Sequence, residues 1–137
     1  MFRNLFNSKE ALTAIDNSDV LIEVTEEQRT ALQALLLDMY KEIFEVCSRH
    51  NITPFLVGGS AIGAVRHKGF IPWDDDLDIG MTRDDYKCFE IVFDGELGDK
   101  YILNAPNRSK KVKTRFPKIL KKGTVCREIG DYSPEEE

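Results

Sequence analysis

Apolar residues along the chain predict one long amphipathic helix followed by several shorter elements. From Thr25 to Cys47 they recur at helical spacing. Gln28 follows Thr25 by three residues, which is the pattern of a capping box. Asn51 is suited to end this helix in a left-handed conformation. The stripe predicted to be buried consists of Leu32, Leu35, Leu36, Met39, Tyr40, Ile43, Phe44 and Cys47.

The pattern after this helix predicts short strands and two further helices. Residues 52–57 are expected to form an apolar strand, and residues 61–67 a helix of about two turns. Residues 76–81 alternate acidic and apolar side chains, as a strand with one solvated face does. Thr82 is expected to cap a third helix, whose buried stripe is Tyr86, Phe89, Val92 and Phe93. Further short strands are predicted at residues 101–105, 115–120 and 124–127.

Gly58, Gly59 and Ser60 lie between the first predicted strand and the second helix. Two glycines allow a tight turn and a close approach to a ligand, and Ser60 is expected to cap the helix. The start of a helix also presents free N–H groups, so the segment predicts a seat for a phosphate. Because glycine-rich turns before helices are common, this signal is weak by itself.

Asp76 and Asp78 form the second chemical signal. Residues two apart on a strand face the same side, so both carboxylates are predicted to point together, with Asp74 added if the strand starts early. Such a group favours a divalent cation, Mg²⁺ or Mn²⁺. The alternative is an exposed acidic strand end. A calcium loop is disfavoured because Ile79 occupies the position where that loop needs glycine.

The charge is unevenly distributed along the chain. The formal net charge of −5 argues against an extended nucleic-acid surface, and no nucleic-acid partner is expected. Acidic residues crowd positions 74–78 and basic residues crowd positions 110–122. These clusters predict either a metal and a phosphate site or two solvated surfaces. The basic cluster consists of Lys110, Lys111, Lys113, Arg115, Lys118, Lys121 and Lys122.

The three cysteines, Cys47, Cys88 and Cys126, lie far apart and form no C-x-x-C pair. Neither a disulfide framework nor a structural zinc site is expected. No apolar run suits a signal peptide or a membrane span, which predicts a cytoplasmic protein that would meet any lipid-linked substrate at the membrane surface. Residues 1–24 are expected to form a leader segment and residues 25–137 the domain.

Residues 52–87 closely resemble the LicD family of phosphocholine transferases, whose eukaryotic relatives include the fukutin-like enzymes. The centre of the resemblance is Arg-His-Lys-Gly-Phe-Ile-Pro-Trp-Asp-Asp-Asp-Leu-Asp at residues 66–78, and the whole covers about residues 20–126. The spacing of Gly-Gly-Ser and Asp-x-Asp resembles the wider nucleotidyltransferase superfamily. The resemblance implies an α+β, nucleotidyltransferase-like fold with a short mixed sheet flanked by helices.

The resemblance also implies an activity. LicD-type enzymes transfer phosphocholine from CDP-choline to a hydroxyl of a cell-surface glycan, such as lipopolysaccharide or teichoic acid, and release CMP. Relatives transfer ribitol phosphate from CDP-ribitol. The partners implied here are a CDP-alcohol donor and a glycan acceptor. Two alternatives remain open: a nucleotidyltransferase that releases pyrophosphate, and an inactive remnant or partner-binding domain.

Carried onto this chain, the resemblance assigns roles to individual residues. Asp76 and Asp78 are implied to be catalytic and to bind Mg²⁺, with Asp74 as a further metal ligand. The residues implied to bind the nucleotide or its phosphates are Gly58, Gly59, Ser60, Arg66 and Lys118. For Arg66 a scaffold salt bridge is equally expected, and for Lys118 a solvated basic face.

Two aromatic side chains beside this segment leave alternatives open. His67 is expected to be a hydrogen-bonded loop residue, or else a general base. Trp73 is expected to pack beneath the loop, or else to stack on a base or on the ammonium group of choline.

The family pattern also includes a third carboxylate on a later strand, which should follow soon after Arg127. The chain instead continues with Glu128 and Asp131, neither of which lies in a convincing buried strand. We therefore expect this sequence to end before its site is complete.

Overall fold

The computed structural model describes residues 24–106, 108 and 116–124. Three helices and four short strands form in these ranges. In chain order they are α1 (Glu26–Arg49), β1 (Phe55–Leu56), α2 (Gly58–Arg66), β2 (Ile79–Gly80), α3 (Arg83–Glu96), β3 (Tyr101–Asn104) and β4 (Lys118–Lys121). No helix of the described part is long and apolar enough to cross a membrane.

Helix α1 begins and ends where the sequence predicts. Thr25 Oγ1 accepts a hydrogen bond from the Gln28 amide at 3.2 Å, and Gln28 Oε1 accepts one from the Thr25 amide at 3.0 Å. These reciprocal bonds satisfy amides that the first turn leaves unpaired. Asn51 follows the helix with a φ of 56°, as expected for a left-handed terminator. Thr82 caps α3 as predicted, with its Oγ1 accepting from the Asp85 amide at 3.2 Å.

The strands pair in two separate antiparallel ladders. β1 pairs with β2, with Phe55 opposite Gly80 and Leu56 opposite Ile79. β3 pairs with β4, with Tyr101 opposite Lys121. The α+β class is therefore confirmed, whereas the prediction of a mixed sheet is wrong for the described residues, because both ladders are antiparallel.

The first two strands are shorter than predicted. Of residues 52–57, only Phe55 and Leu56 pair as a strand. Ile52 and Pro54 are buried but precede the ladder. Pro54 also lacks the N–H that a ladder needs. Of residues 76–81 only Ile79 and Gly80 form the strand. Residue 115 and residues 125–127, predicted to be in later strands, lie outside the described residues.

The core lies between α1, α3 and β3. Phe89 and Phe93 are almost fully buried and meet edge to face, with ring centroids 5.5 Å apart. Ile79 and Met81 pack partly against this cluster, which connects β2 to the core. The buried members are Met39, Ile43, Val46, Cys47, Ile52, Phe89, Phe93, Leu97, Tyr101, Leu103 and Ala105.

The predicted buried stripe of α1 is correct in part. Met39, Ile43 and Cys47 are buried, but Phe44 remains 46% exposed beside Tyr40, with ring centroids 6.0 Å apart. Apolar residues cover more of α1 than one packed face can bury. Phe44 and Tyr40 therefore lie on a different side of the helix from the buried Met39 and Ile43. On α3, Phe89 and Phe93 are buried as predicted.

Candidate functional site

Helix α2 begins at Gly58, three residues earlier than predicted, because Gly58 and Gly59 form its first turn instead of a preceding loop. Gly58 has a φ of 52°, a left-handed conformation that glycine adopts without strain. Val57 precedes the helix, and no side chain of the described residues caps it there. We refer to Gly58 and Gly59 as the glycine turn.

Ser60 has a different role from the predicted cap. It lies within the first turn of α2, is only 8% exposed, and its Oγ accepts a hydrogen bond from the Asp78 amide at 2.8 Å. The Val57 amide donates to the Asp78 carbonyl oxygen at 3.2 Å. The main chain of Asp78 is thus held on both sides by residues that flank the glycine turn.

The carboxylate of Asp78 occupies the space that a side chain at residue 58 would fill. A Cβ atom on Gly58 would lie 2.6 Å from Asp78 Oδ2, closer than real Cβ atoms approach. Gly58 is therefore required both by its left-handed backbone and by the adjacent carboxylate. Strand pairing of β1 with β2 brings these two residues together, although they lie far apart in the sequence.

Asp74 lies against the second glycine in the same way. A Cβ atom on Gly59 would lie 2.9 Å from Asp74 Oδ2. The Asp74 amide donates to the Ile71 carbonyl at 3.0 Å, which closes a turn at the start of the acidic segment. Asp74 and Asp78 thus present carboxylate oxygens to consecutive glycines at the start of a helix. We call residues 69–78 the acidic loop.

Asp76 lies between Asp74 and Asp78 in the sequence and is more exposed than either. Partial burial of its carboxyl group, with the charges of Asp78, Asp74 and Asp75, raises its pKa. Because β2 begins only at Ile79, Asp76 lies in irregular backbone. The prediction that strand alternation places Asp76 and Asp78 on one face is therefore wrong in its premise.

The acidic loop offers oxygen ligands, which Mg²⁺ prefers. In the ranges the structure describes, no three His, Cys, Asp or Glu side chains converge tightly enough to hold a metal by themselves. Magnesium commonly binds through one or two carboxylates and completes its shell with water and substrate phosphates. Carboxylates at a helix start would also repel a phosphate there, and a divalent cation would offset that repulsion. The residues therefore fit a shared cation better than an all-protein metal cage.

Three predicted neighbours of the site meet one another. Arg66 Nε donates to His67 Nδ1 at 3.4 Å, and the His67 ring meets Trp73 edge to face at 6.4 Å. Trp73 is 66% exposed, so it does not pack beneath the loop as expected. Among described residues Arg66 forms no ion pair. The salt bridge considered for Arg66 is thus not formed there, and its phosphate role stays a prediction.

Lys118 belongs to a different part of the fold. It begins β4 and lies opposite Asn104, whereas the glycine turn is built on the ladder of β1 and β2. The rest of the predicted basic cluster between residues 110 and 115 lies outside the described residues. So do Glu128 and Asp131, where the third carboxylate was considered.

The structure adds two residues that the sequence pattern did not single out. Gln33 of α1 donates its side-chain amide to the carbonyl oxygens of Ile71 at 3.3 Å and Asp74 at 2.8 Å. Gly63 of α2 approaches the acidic loop so closely that a Cβ atom there would lie 2.6 Å from the Gly69 carbonyl oxygen. Only Gly63 carried a signal, as a third glycine in a short helix; Gln33 carried none.

The segment that builds this site also matches known proteins. The family model described as "LicD/FKTN/FKRP, nucleotidyltransferase domain" matches residues 51–124, more than half of the chain. This range contains the glycine turn, the acidic loop, α3 and both ladders. No solved structure matches the chain.

Three curated relatives align with part of the chain. The lipopolysaccharide cholinephosphotransferase LicD of Haemophilus influenzae is 45% identical over 69 residues, which are 50% of this chain and 26% of that protein. An uncharacterized protein of Rickettsia typhi is 44% identical over 57 residues, 42% of this chain and 18% of its own length. One of Rickettsia prowazekii is 44% identical over 50 residues, 36% of this chain and 19% of its own length.

The aligned segments thus span about a quarter or less of each relative. The family assignment rests on the model match across residues 51–124 and does not depend on the length of these relatives. The chain belongs to the LicD/FKTN/FKRP family, within the part that forms its nucleotidyltransferase domain.

Proposed function

We propose that this chain is part of a transferase that moves a phosphoalcohol, in the first place phosphocholine from CDP-choline, to a hydroxyl of a cell-surface glycan. The observation that carries the proposal is the pair of carboxylates, Asp74 and Asp78, lying against Gly58 and Gly59 at the start of α2. The cholinephosphotransferase relative supports the choice of phosphocholine and lipopolysaccharide.

The glycine turn is proposed to bind the diphosphate of the donor. Amides at the start of a helix attract anions, and no side chain of the described residues caps the start of α2. Ser60 holds the Asp78 main chain at 2.8 Å, so its proposed contribution is chiefly to fix the position of Asp78. Arg66, exposed at the far end of α2, and Lys118 are proposed as further phosphate contacts.

Asp78, Asp76 and Asp74 are proposed to hold Mg²⁺ or Mn²⁺ together with the donor phosphates. When bound, the cation would neutralise charge on the diphosphate and on the departing nucleotide. Among the described residues no Lys, Arg or His side chain forms an ion pair with these carboxylates, so a donor bound to a cation fits better than a free anion.

In the proposed reaction, a glycan hydroxyl oxygen bonds to the phosphorus that carries the alcohol. The bond from that phosphorus to the bridging oxygen breaks, CMP leaves with the bonding electron pair, and the hydroxyl proton passes to solvent or a carboxylate. A nucleotidyltransferase would instead release pyrophosphate. Product analysis separates the two, since only CMP fits phosphoalcohol transfer.

The first test is calorimetric titration of CDP-choline into the chain with and without Mg²⁺. We expect binding that requires the cation and is lost in the double variant Asp76→Ala/Asp78→Ala. Asp84→Ala is the matched control, because Asp84 is an exposed carboxylate in the first turn of α3, outside the acidic loop.

Each outcome of this titration has a separate meaning. Cation-dependent binding that persists in the double variant would remove the carboxylates from the proposed site. Binding of CTP in preference to CDP-choline would favour the nucleotidyltransferase reaction. No binding by a folded chain would contradict a donor site made by these residues alone.

A further inference from the structure

Gln33 connects α1 to the acidic loop. Its side-chain amide donates to the Asp74 carbonyl oxygen at 2.8 Å and to the Ile71 carbonyl oxygen at 3.3 Å. Gln33 precedes these partners by 41 and 38 residues and lies outside the family match, which begins at residue 51. A residue of the first helix thus bonds directly to the backbone of the proposed donor site.

The two carbonyl oxygens belong to the turn that begins the loop. The Asp74 amide closes this turn by donating to the Ile71 carbonyl at 3.0 Å, and Pro72 occupies the position that a β-turn favours for proline. Gln33 bonds to both ends of the turn at once. Carbonyl oxygens only accept, so an apolar side chain at residue 33 would leave the Asp74 carbonyl without this donor.

The orientation of the Asp74 carboxylate depends on the same backbone. Its oxygen lies where a Cβ atom of Gly59 would be 2.9 Å away, so a small rotation of the Asp74 main chain would move it off the glycine turn. Asp78 is fixed independently, by Ser60 and the pairing of β1 with β2. Of the two carboxylates at the glycines, Asp74 is therefore the one whose position depends on α1.

We propose that Gln33 is a positioning residue for the donor and cation site, holding the turn Ile71–Asp74 so that the Asp74 carboxylate faces the glycine turn. This inference rests on the proposed function for the identity of the site. It assigns to α1 a role in ligand binding as well as in the core. Outer partners that orient ligating groups commonly contribute about 10–100-fold to metal affinity.

The tryptophan of the chain allows a direct test. Trp73 is the single tryptophan, and it lies inside this turn next to Asp74. Time-resolved fluorescence anisotropy of Trp73 therefore reports local motion of the turn without any ligand. Mn²⁺ titration at a fixed concentration of CDP-choline, followed by electron paramagnetic resonance of the free ion and compared with a blank without protein, measures cation affinity on the same samples.

The key variant is Gln33→Met, which keeps the length of the side chain and removes both donors. We expect a larger fast component in the Trp73 anisotropy and about 10-fold weaker Mn²⁺ binding. Met39→Ala is the matched control, because Met39 lies on the same helix in the core and its loss lowers stability without removing a bond to the loop. It is expected to leave both readouts unchanged well below its unfolding temperature.

Gln33→Lys tests the chemistry of the contact. An ammonium group can donate to both carbonyl oxygens, so we expect the Trp73 anisotropy to return toward that of the parent chain. Rescue is scored by anisotropy alone, because the added charge would itself alter cation binding.

The outcomes separate this inference from the proposed function. Unchanged anisotropy in Gln33→Met, or an equal change in Met39→Ala, would overturn the positioning role. Mn²⁺ affinity that is the same in Gln33→Met and the parent chain would overturn it as well. If the parent chain binds no Mn²⁺ in the presence of CDP-choline, the proposed function fails, and the anisotropy still decides whether Gln33 fixes the turn.

Discussion

In the core, apolar side chains from α1, α3 and β3 bury one another. Phe89 and Phe93, for example, pack with their ring centroids 5.5 Å apart. In the acidic loop, position is set by hydrogen bonds to the backbone, such as those of Gln33 and Ser60. Burial is non-directional and large in total, whereas each such hydrogen bond is modest but fixes a geometry. The two regions should therefore respond differently to substitution.

The difference also concerns charge. The core contains no buried charge among the residues named above, while the acidic loop carries four aspartates, two of which lie against backbone glycines. Partial burial of the Asp76 carboxyl group, together with repulsion from the neighbouring carboxylates, raises its pKa. The charged carboxylates of the loop thus lower the free energy of unfolding, and a bound cation would offset this loss.

The largest expected effect is on the core. Phe93→Ala removes a fully buried ring that also contacts Phe89, and should lower the free energy of unfolding by about 3–5 kcal/mol. Urea denaturation followed by circular dichroism measures this change. Ile91→Ala, on the same helix but 81% exposed, should change it by less than about 0.5 kcal/mol. Equal effects of the two variants would contradict the assignment of the core.

The next largest effect is expected for Gly63→Ala. It should weaken donor binding more than it lowers the free energy of unfolding, which sharpens the contrast between the loop and the core. A Cβ atom on Gly63 would lie 2.6 Å from the Gly69 carbonyl oxygen and 3.0 Å from the Ile71 amide nitrogen. Gly63→Ala should therefore displace the acidic loop, at a cost of about 1–3 kcal/mol that the better helix propensity of alanine offsets in part. Calorimetric titration with CDP-choline and Mg²⁺ should show weaker binding.

Gly69→Ala provides the control for this variant. A Cβ atom on Gly69 would meet nothing within 4 Å, although the residue lies in the same loop. We expect parent-like binding and stability. If Gly63→Ala bound the donor as the parent chain does, close packing of α2 against the loop would have no part in forming the site.

Helix α1 and the start of α3 could be predicted closely from the sequence because their capping signals are local. Thr25 and Gln28 lie within one turn of each other, and Thr82 lies three residues from Asp85. Strand bounds could not be predicted as well, since pairing depends on partners far away in the chain. Phe55 pairs with Gly80 across an intervening helix and loop, which no local pattern specifies.

The candidate site divides in the same way. The sequence pattern singles out the glycines and aspartates, and Gly58 and Gly59 do lie against Asp78 and Asp74 in the structure. Ser60 is predicted to cap α2, but it lies inside the helix and accepts from the Asp78 amide, a partner that reaches it only through strand pairing. Gln33 was not predicted at all, since a glutamine on a helix looks the same whether it faces water or a loop 41 residues later.

The smallest expected effect concerns the charge of the loop. The pKa of Asp76 is raised in the folded chain, so the folded state binds a proton more tightly than the unfolded state. Stability should therefore fall as the pH rises through the range between the ordinary and the raised pKa, and stay lower above it. In metal-free buffer at pH 7, Asp76→Asn should be more stable than the parent chain. The gain should be under about 1 kcal/mol, because Asp76 is largely exposed.

Thermal unfolding with a chelator, repeated from acidic to neutral pH, measures this gain, which should disappear once Asp76 is protonated in both states. Added Mg²⁺ should then stabilise the parent chain more than Asp76→Asn. Asp84→Asn is the control: Asp84 lies in the first turn of α3, where a negative charge is favourable, so its loss should not stabilise the chain. A gain that is the same at every pH would mean that the negative charge of Asp76 is not its source.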